Sequence, residues 1–421
     1  MTAVRKIPNG PKSKPVEVQN VPKVSSRGLA LPASPIRKLA PYADAAKRRG
    51  VRVFHLNIGQ PDLETPKVMR DRLASVDAVI AYSPSAGTPQ YLSALVAYYA
   101  SVGLTVDPRH IIATTGGSEA VFFAFLCLSA PGDEVMVAEP FYTNYNSFAA
   151  MAGVELVAVQ CRGEEGFHLP PREAFEKVRT ERTRFVLLCN PNNPTGTVYS
   201  REEVQRVADF CRDHDLFFVS DEVYREFVYD GLEATSALEF KGFEDRVVVV
   251  DSLSKRFSAC GIRLGCLVSR NDDVIAAVTH AAQGRLSPPG LAQVLALGMS
   301  EIRPEYYEGV RREYQKRRDV IFEELSKLPG VFLRKPEGAF YVVARLPVKD
   351  SDHFARFLLE EFSFEGETVM VAPAAGFYAT PGLGLNEVRM AYVLNADDLR
   401  RAIRVLGEGL KAYGQRQALT A

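Results

Sequence analysis

The chain has 421 residues, enough for a large core and for two or three domains. Hydrophobic residues make up 47% and charged residues 24%, ordinary values for a globular protein, and Lys plus Arg equals Asp plus Glu at 51 each. That balance removes the electrostatic footprint of a nucleic-acid or anionic-membrane binder, and no stretch is apolar for the length of a membrane span.

The first residues, MTAVRKIPNGPKSKPVEVQNVPK, are rich in Pro and Lys and lack an apolar h-region. They read as a flexible tail rather than a secretory signal. Strand-length apolar runs then fall at 110–115, 134–139, 155–161, 184–189, 216–221, 247–252 and 264–269, with helix-period stretches at 118–129, 201–214 and 272–283. LFFVSD and VVVVDS are apolar at consecutive positions, the pattern of strands buried on both faces. This alternation predicts an α/β layer with a mostly parallel sheet flanked by helices. From Pro304 the pattern PEYYEGVRREYQKRRDVIFEELSKL predicts one long helix. Shorter segments follow (GAFYVVARL, VMVAPAAGF, EVRMAYVL, DDLRRAIRVLGEGL) and predict a second, smaller α/β domain. The six cysteines form no C-x-x-C pair and lie mostly in apolar runs, which suits reduced thiols in a cytoplasmic protein. The six histidines lack metal-ligand spacing, so no metal is expected.

In an open α/β sheet, ligands sit beyond the carboxyl ends of the strands. The 110–115 strand runs into Thr-Gly-Gly-Ser-Glu, either a phosphate-binding helix N-terminus or a plain turn with Ser118 as N-cap. The next relevant strands deliver Asn190-Pro-Asn-Asn-Pro-Thr-Gly196, then Asp221-Glu-Val-Tyr224, then Asp251-Ser-Leu-Ser-Lys255 with Arg263 beyond. Taken singly, Lys255 reads as a solvated surface lysine and Arg263 as half of an ion pair. Together, glycines, an amide, a carboxylate, a phenol, an amine and a guanidinium at one sheet edge suit a phosphorylated aldehyde cofactor bound covalently to an amine.

From about Leu31 to about Leu410 the chain resembles a class I/II aminotransferase of pyridoxal-phosphate (PLP) fold type I, in the aspartate aminotransferase-like subgroup. The resemblance rests on LNIGQPD, AYSPSAGTPQYL, TTGGSEA, EPFYTNY, NPNNPTG, DEVY, SLSKRFSACGIRLG and EVRMAYV, in that order. It implies a large PLP-binding domain over 59–324 with a mostly parallel seven-stranded sheet. It also implies a small domain from 29–58 and 325–421, behind a tail at 1–28.

The resemblance further implies that Lys255 carries PLP as a Schiff base and later shuttles a proton. Asp221 would pair with the pyridine nitrogen, Tyr224 and Asn193 with the ring oxygen, and Tyr142 would stack on the ring. Gly117, Ser118, Ser252 and Arg263 would hold the phosphate, joined by Tyr82 from a neighbouring subunit, so a homodimer with shared sites is expected. Arg389 would grip the α-carboxylate bidentately, with Gly59 adding a backbone contact and Asn193 a further one. Arg285 is the candidate cation for a distal carboxylate; its alternative role is to cap the 272–283 helix.

The implied reaction moves an amino group from an L-amino acid, aspartate or glutamate first, to a 2-oxo acid by a ping-pong mechanism. The alternatives are an aromatic- or alanine-type aminotransferase and a β-lyase or related PLP reaction. A regulator with an aminotransferase-like domain would need a DNA-binding module for which the tail is too short. An NAD-dependent dehydrogenase lacks its G-x-G-x-x-G after a strand.

Overall fold

The computed structural model describes residues 22–420. Most of the expected tail, residues 1–21, lies outside the described residues, and Ser26–Ala30 forms a short helix with no buried residue. The strands are β1 (Arg52–His55), β2 (Ile111–Thr114), β3 (Glu134–Glu139), β4 (Glu155–Gln160), β5 (Thr183–Cys189), β6 (Phe217–Asp221), β7 (Val247–Ser252), β8 (Gly265–Ser269), β9 (Phe332–Leu333), β10 (Tyr341–Arg345), β11 (Glu367–Met370), β12 (Ala372–Pro373) and β13 (Glu387–Ala391).

A seven-stranded sheet runs in the order β2-β8-β7-β6-β5-β3-β4. It is parallel from β7 to β4, and β8 runs antiparallel to both its neighbours. β3, β7 and β8 are buried at every position, which is why they read as continuous apolar runs. Successive side chains go to opposite faces: Val135, Val137 and Val248 join one apolar cluster, while Met136, Ala138 and Val249 join the other.

Helices cover both faces. Gly116–Leu128, apolar almost throughout, packs across β7 and β8. Arg201–Asp213 starts at a capping box in which Ser200 and Glu203 satisfy each other's backbone N–H groups. The long helix Pro304–Ser326 has Pro in its first turn and packs along the final helix, Ala396–Thr420.

A second core gathers around a four-stranded antiparallel sheet, β12-β13-β10-β9. β1 belongs with this part, because it pairs in parallel with β11, Arg52 facing Glu367 and His55 facing Met370. The start of the described chain and its last third are therefore stitched together.

One local expectation needs correction. Ser118 is not an N-cap, because the helix begins two residues earlier, at Gly116. Thr115 stands at the cap position without a side-chain cap bond, and its N–H donates to Glu119 Oε2 at 2.8 Å. The glycine adopts φ +73°, a geometry that lets the turn close early. Ser118 is left in the first helical turn, its hydroxyl without a hydrogen-bond partner among the described residues.

Candidate active site

The carboxyl ends of β5, β6 and β7 and the N-terminus of Gly116–Leu128 open on a cavity of about 750 Å³. Its opposite wall comes from Tyr341 on β10, Arg389 on β13 and the chain around residues 34–37 and 58–60. Gly59, Gly117, Ser118, Tyr142, Asn193, Asp221, Tyr224, Ser252, Lys255, Arg263 and Arg389 all line it.

Asp221 ends β6 and is 5% exposed. Its Oδ2 accepts from Tyr145 Oη at 2.7 Å and its Oδ1 from the Val223 N–H at 3.4 Å. No cation pairs with it among the described residues. Burial therefore pushes its carboxyl up from 3.8 to about 6, with the Tyr145 hydrogen bond pulling the other way. Such a group is ready for a positively charged N–H.

Lys255 follows β7 in the four-residue helix Leu253–Arg256, capped by Ser252. Its Nζ donates to the Gly59 carbonyl at 2.8 Å and lies 3.8 Å from Cys260 Sγ, which itself donates to the Ser254 carbonyl at 3.2 Å. Burial lowers its pKa, and the positive charge of Arg389 adds to that. An amine whose charged form is disfavoured is a usable nucleophile and base.

Arg389 is 1% exposed on β13. Nη1 donates to Asn193 Oδ1 at 3.3 Å and Nη2 to the Asn57 carbonyl, while Nε has no hydrogen-bond partner among the described residues. No carboxylate pairs with this guanidinium among the described residues. Val343 is its cross-strand partner, so Tyr341, two residues along β10, shares its face. The guanidinium carbon sits 4.6 Å from the Tyr341 ring centre and 5.1 Å from that of Phe377. Tyr341 Oη in turn meets Tyr224 Oη at 2.9 Å, and Asn193 Nδ2 donates to Tyr224 Oη at 3.5 Å. Gly59 gives Tyr341 its room, since a Cβ there would stand 1.8 Å from Tyr341 Oη and the ring would have to move.

At the other end of the cavity, Arg263 takes a left-handed backbone (φ +54°) and stays exposed. A Cβ on Gly116 would come within 2.7 Å of its Nη2, so the glycine leaves the arginine room against the helix N-terminus. Together with the first-turn residues Gly117 and Ser118, this is a cradle for an anion. Ser252 Oγ, buried, meets Ser254 Oγ at 2.9 Å and the Leu264 carbonyl at 3.2 Å.

Two sequence candidates do not line this cavity. Tyr82 is 82% exposed on the surface. Arg285, the last residue of Asp272–Arg285, donates to the Ser85 and Ala113 carbonyls at 3.2 and 3.1 Å and pairs with Glu119 at 3.5 Å. Four lining or supporting residues carried no role in the sequence reading: Tyr145, Tyr341, Cys260 and Arg37. Tyr145 and Cys260 lie inside the EPFYTNY and SLSKRFSACGIRLG motifs, a signal that was there to use. Tyr341 and Arg37 come into the site through tertiary packing alone.

No helix among the described residues is long and apolar enough to cross a membrane. Residues 51–406 match the family model described as aminotransferase class I and II. The chain is 32% identical over 398 residues to the aspartate/prephenate aminotransferase of Thermus thermophilus, covering 90% of this chain and 99% of that one. The solved Thermus thermophilus aspartate aminotransferase with maleate superimposes with a TM-score of 0.82 at 30% identity, covering 92% of this chain and all of that one. An alanine aminotransferase from Pyrococcus furiosus gives a TM-score of 0.84 at 26% identity, over 93% of this chain and 100% of its own. With its motifs, its fold and its cavity in agreement with these matches, the chain belongs to the aminotransferases of class I and II.

Proposed function

We propose that this aminotransferase works with PLP held at Lys255 and passes the amino group of an L-amino acid, aspartate or glutamate first, to a 2-oxo acid. One observation carries the reading. Asp221, Lys255 and Arg389 face a single cavity, and none has a counter-ion among the described residues. Buried charges left alone are costly, so the site is built for a ligand that supplies a cation, a carbonyl and a carboxylate.

PLP with an amino acid fits these needs. Asp221 matches a protonated pyridine nitrogen, Tyr224 and Asn193 match the ring oxygen, and Tyr142 lies beside the same space. The Gly117–Ser118 turn, Ser252 and Arg263 match a phosphate. When bound, the cofactor would supply an electron sink for the bond broken at the substrate Cα.

The chain's own residues do the rest. Arg389 binds the α-carboxylate in a fixed orientation, using the edge that includes its free Nε. The Gly59 N–H is available to the same carboxylate while its carbonyl holds Lys255. The Lys255 amine, whose charged form burial disfavours, takes the proton at Cα and returns it on the other side of the reaction. Amino acid and oxo acid occupy the cavity in turn, a ping-pong order.

The maleate of the Thermus structure is a four-carbon dicarboxylate, which favours a dicarboxylic substrate here. A homodimer is part of the proposal. Tyr82, Val79, Ile80, Leu286 and Leu291 are exposed, and Gln293 Nε2 bonds Ser83 Oγ at 2.9 Å, drawing the two segments into one apolar patch. From that patch, Tyr82 would serve the partner's phosphate.

The test is an absorbance spectrum of the purified protein before and after L-aspartate or L-glutamate, with the product assayed. A yellow band that shifts to shorter wavelength with stoichiometric keto acid is expected. Ammonia or pyruvate release would instead indicate a lyase. A protein that stays colourless after added PLP would refute the cofactor assignment.

A further inference from the structure

The cavity holds one more cation than the proposed reaction accounts for. Arg263 lies at the phosphate end and Arg389 at the carboxylate end, whereas Arg37 lines the same space from the turn that precedes Ala40–Arg48. Its neighbour Lys38 pairs with Asp352, but Arg37 has no ion pair or side-chain hydrogen bond among the described residues. Its charge is felt inside the site. Arg389, Arg37 and Arg263 all act on the Tyr142 phenol, against the upward push of burial.

The turn carrying Arg37 is fixed to the Arg389 end of the cavity. Asn57 Nδ2 donates to the Ile36 carbonyl at 3.1 Å, while the Asn57 carbonyl accepts from Arg389 Nη2. Ile36 packs against the small apolar cluster of Ala372, Ala374 and Phe377, and the Phe377 ring of that cluster also lies under Arg389. One buried asparagine and one buried apolar cluster are therefore shared by the segments that carry both arginines. A four-carbon dicarboxylate is short, so a cation for its far end has to stand near the one that grips its α-carboxylate.

We propose that Arg37 receives the distal carboxylate of a dicarboxylic amino acid or oxo acid, and so sets the preference for such substrates. The proposal rests on the reading of this cavity as an aminotransferase site with Arg389 on the α-carboxylate. It locates the distal subsite on this chain's own N-terminal segment. Arg285 is held elsewhere by Glu119 and two carbonyls.

The experiment compares the holoenzyme with its Arg37→Gln and Arg37→Lys variants in two measurements. The first is the ratio of kcat/KM for L-aspartate to that for L-alanine. The second is the Kd of succinate, titrated calorimetrically. Loss of a charge-assisted hydrogen bond to a carboxylate predicts a fall of about thirtyfold in the ratio, and a similar weakening of succinate, for Arg37→Gln. Arg37→Lys, which keeps the charge but loses the planar fork, falls in between. A ratio and a succinate Kd both within twofold of the parent would overturn the proposal. If the parent transfers no amino group at all, the reaction assignment fails, while the succinate titration still decides what Arg37 binds.

Discussion

Asp221 gives the sharpest prediction, because its buried charge costs stability whenever nothing neutralises it. Take Asp221→Asn in the cofactor-free protein. The carboxyl moves from 3.8 to about 6 on folding. At about 1.4 kcal/mol per pKa unit, a shift of about two units is worth about 3 kcal/mol. The group is an acid with a raised value, so between the two values the folded state holds a proton that the unfolded chain has lost. Stability from this group is therefore present at low pH, drains away as the pH rises from about 4 to about 6, and stays lost above.

Asparagine removes that loss. It still accepts from Tyr145 and gives up only a long contact with the Val223 N–H, at a cost of about 0.5–1 kcal/mol. The variant is expected to gain about 2 kcal/mol at pH 7.5. With an unfolding entropy of about 2.1 cal/mol/K per residue over 421 residues, that is about 2 °C in Tm. The assay is thermal melting of both cofactor-free proteins at matched scan rates, from pH 4.5 to 8. The advantage should shrink toward zero at pH 4.5 and reverse once PLP is added, since the pyridinium then pairs with the aspartate and not with the amide. A variant no more stable than the parent at pH 7.5 would refute the reasoning.

Lys255→Ala should transfer no amino group from aspartate or glutamate, measured as 2-oxo acid formed; near-normal transfer would remove the lysine from its role. Gly59→Ala must push the Tyr341 ring aside and break its 2.9 Å contact with Tyr224, so chemical denaturation should report a loss of about 1–3 kcal/mol. An unchanged midpoint would mean that the two groups do not meet so closely. His168 sits between Glu203 and Glu337, and hydrogen bonds to these carboxylates, Glu203 foremost, raise it from 6.5 to about 10. Its contribution is fully present below pH 6.5 and fades as the pH climbs through about 10, so the Tm of His168→Asn should fall less than the parent's between pH 8 and 10.5. Parallel curves would show the pair of contacts to be inert.

What the residues disclosed in advance follows from how locally each feature is encoded. β3 and β7 were legible to the residue because both faces are buried and an unbroken run of four apolar residues marks each, Val135–Ala138 and Val247–Val250. The antiparallel course of β8 was not, since an apolar run carries no direction. Lys255, Asp221 and Asn193 could be assigned to one cavity because each sits at or just beyond the carboxyl end of a strand, in a run of turn residues. Ser118 was misread as a possible cap because Gly116 lets the helix start early, and a left-handed φ is not visible in a Gly-Gly pair. Tyr341 and Arg37 could not be found, for their place in the cavity depends on packing across long sequence separations: β10 beside β13, and the Ile36 turn against the cluster that contains Phe377. Tyr145, which donates to the buried Asp221 carboxylate, lies within EPFYTNY and was within reach of the sequence.

The pairing of β1 with β11 has a consequence for how the chain is made. β1 leaves the ribosome early and can find no partner until Glu367–Met370 follows, most of the protein later. Closing so long a loop from an open coil would be slow, since entropy has to be surrendered before any contact rewards it. The seven-stranded sheet, complete by Ser269, is synthesised in between and can fold around its own core first. It then acts as a jig that brings the two ends together across a short gap. On this order of events Arg389, carried by β13, the last strand to be made, is seated only when nearly the whole molecule has been built, and a prematurely terminated chain carries the lysine without the arginine proposed to orient its substrate.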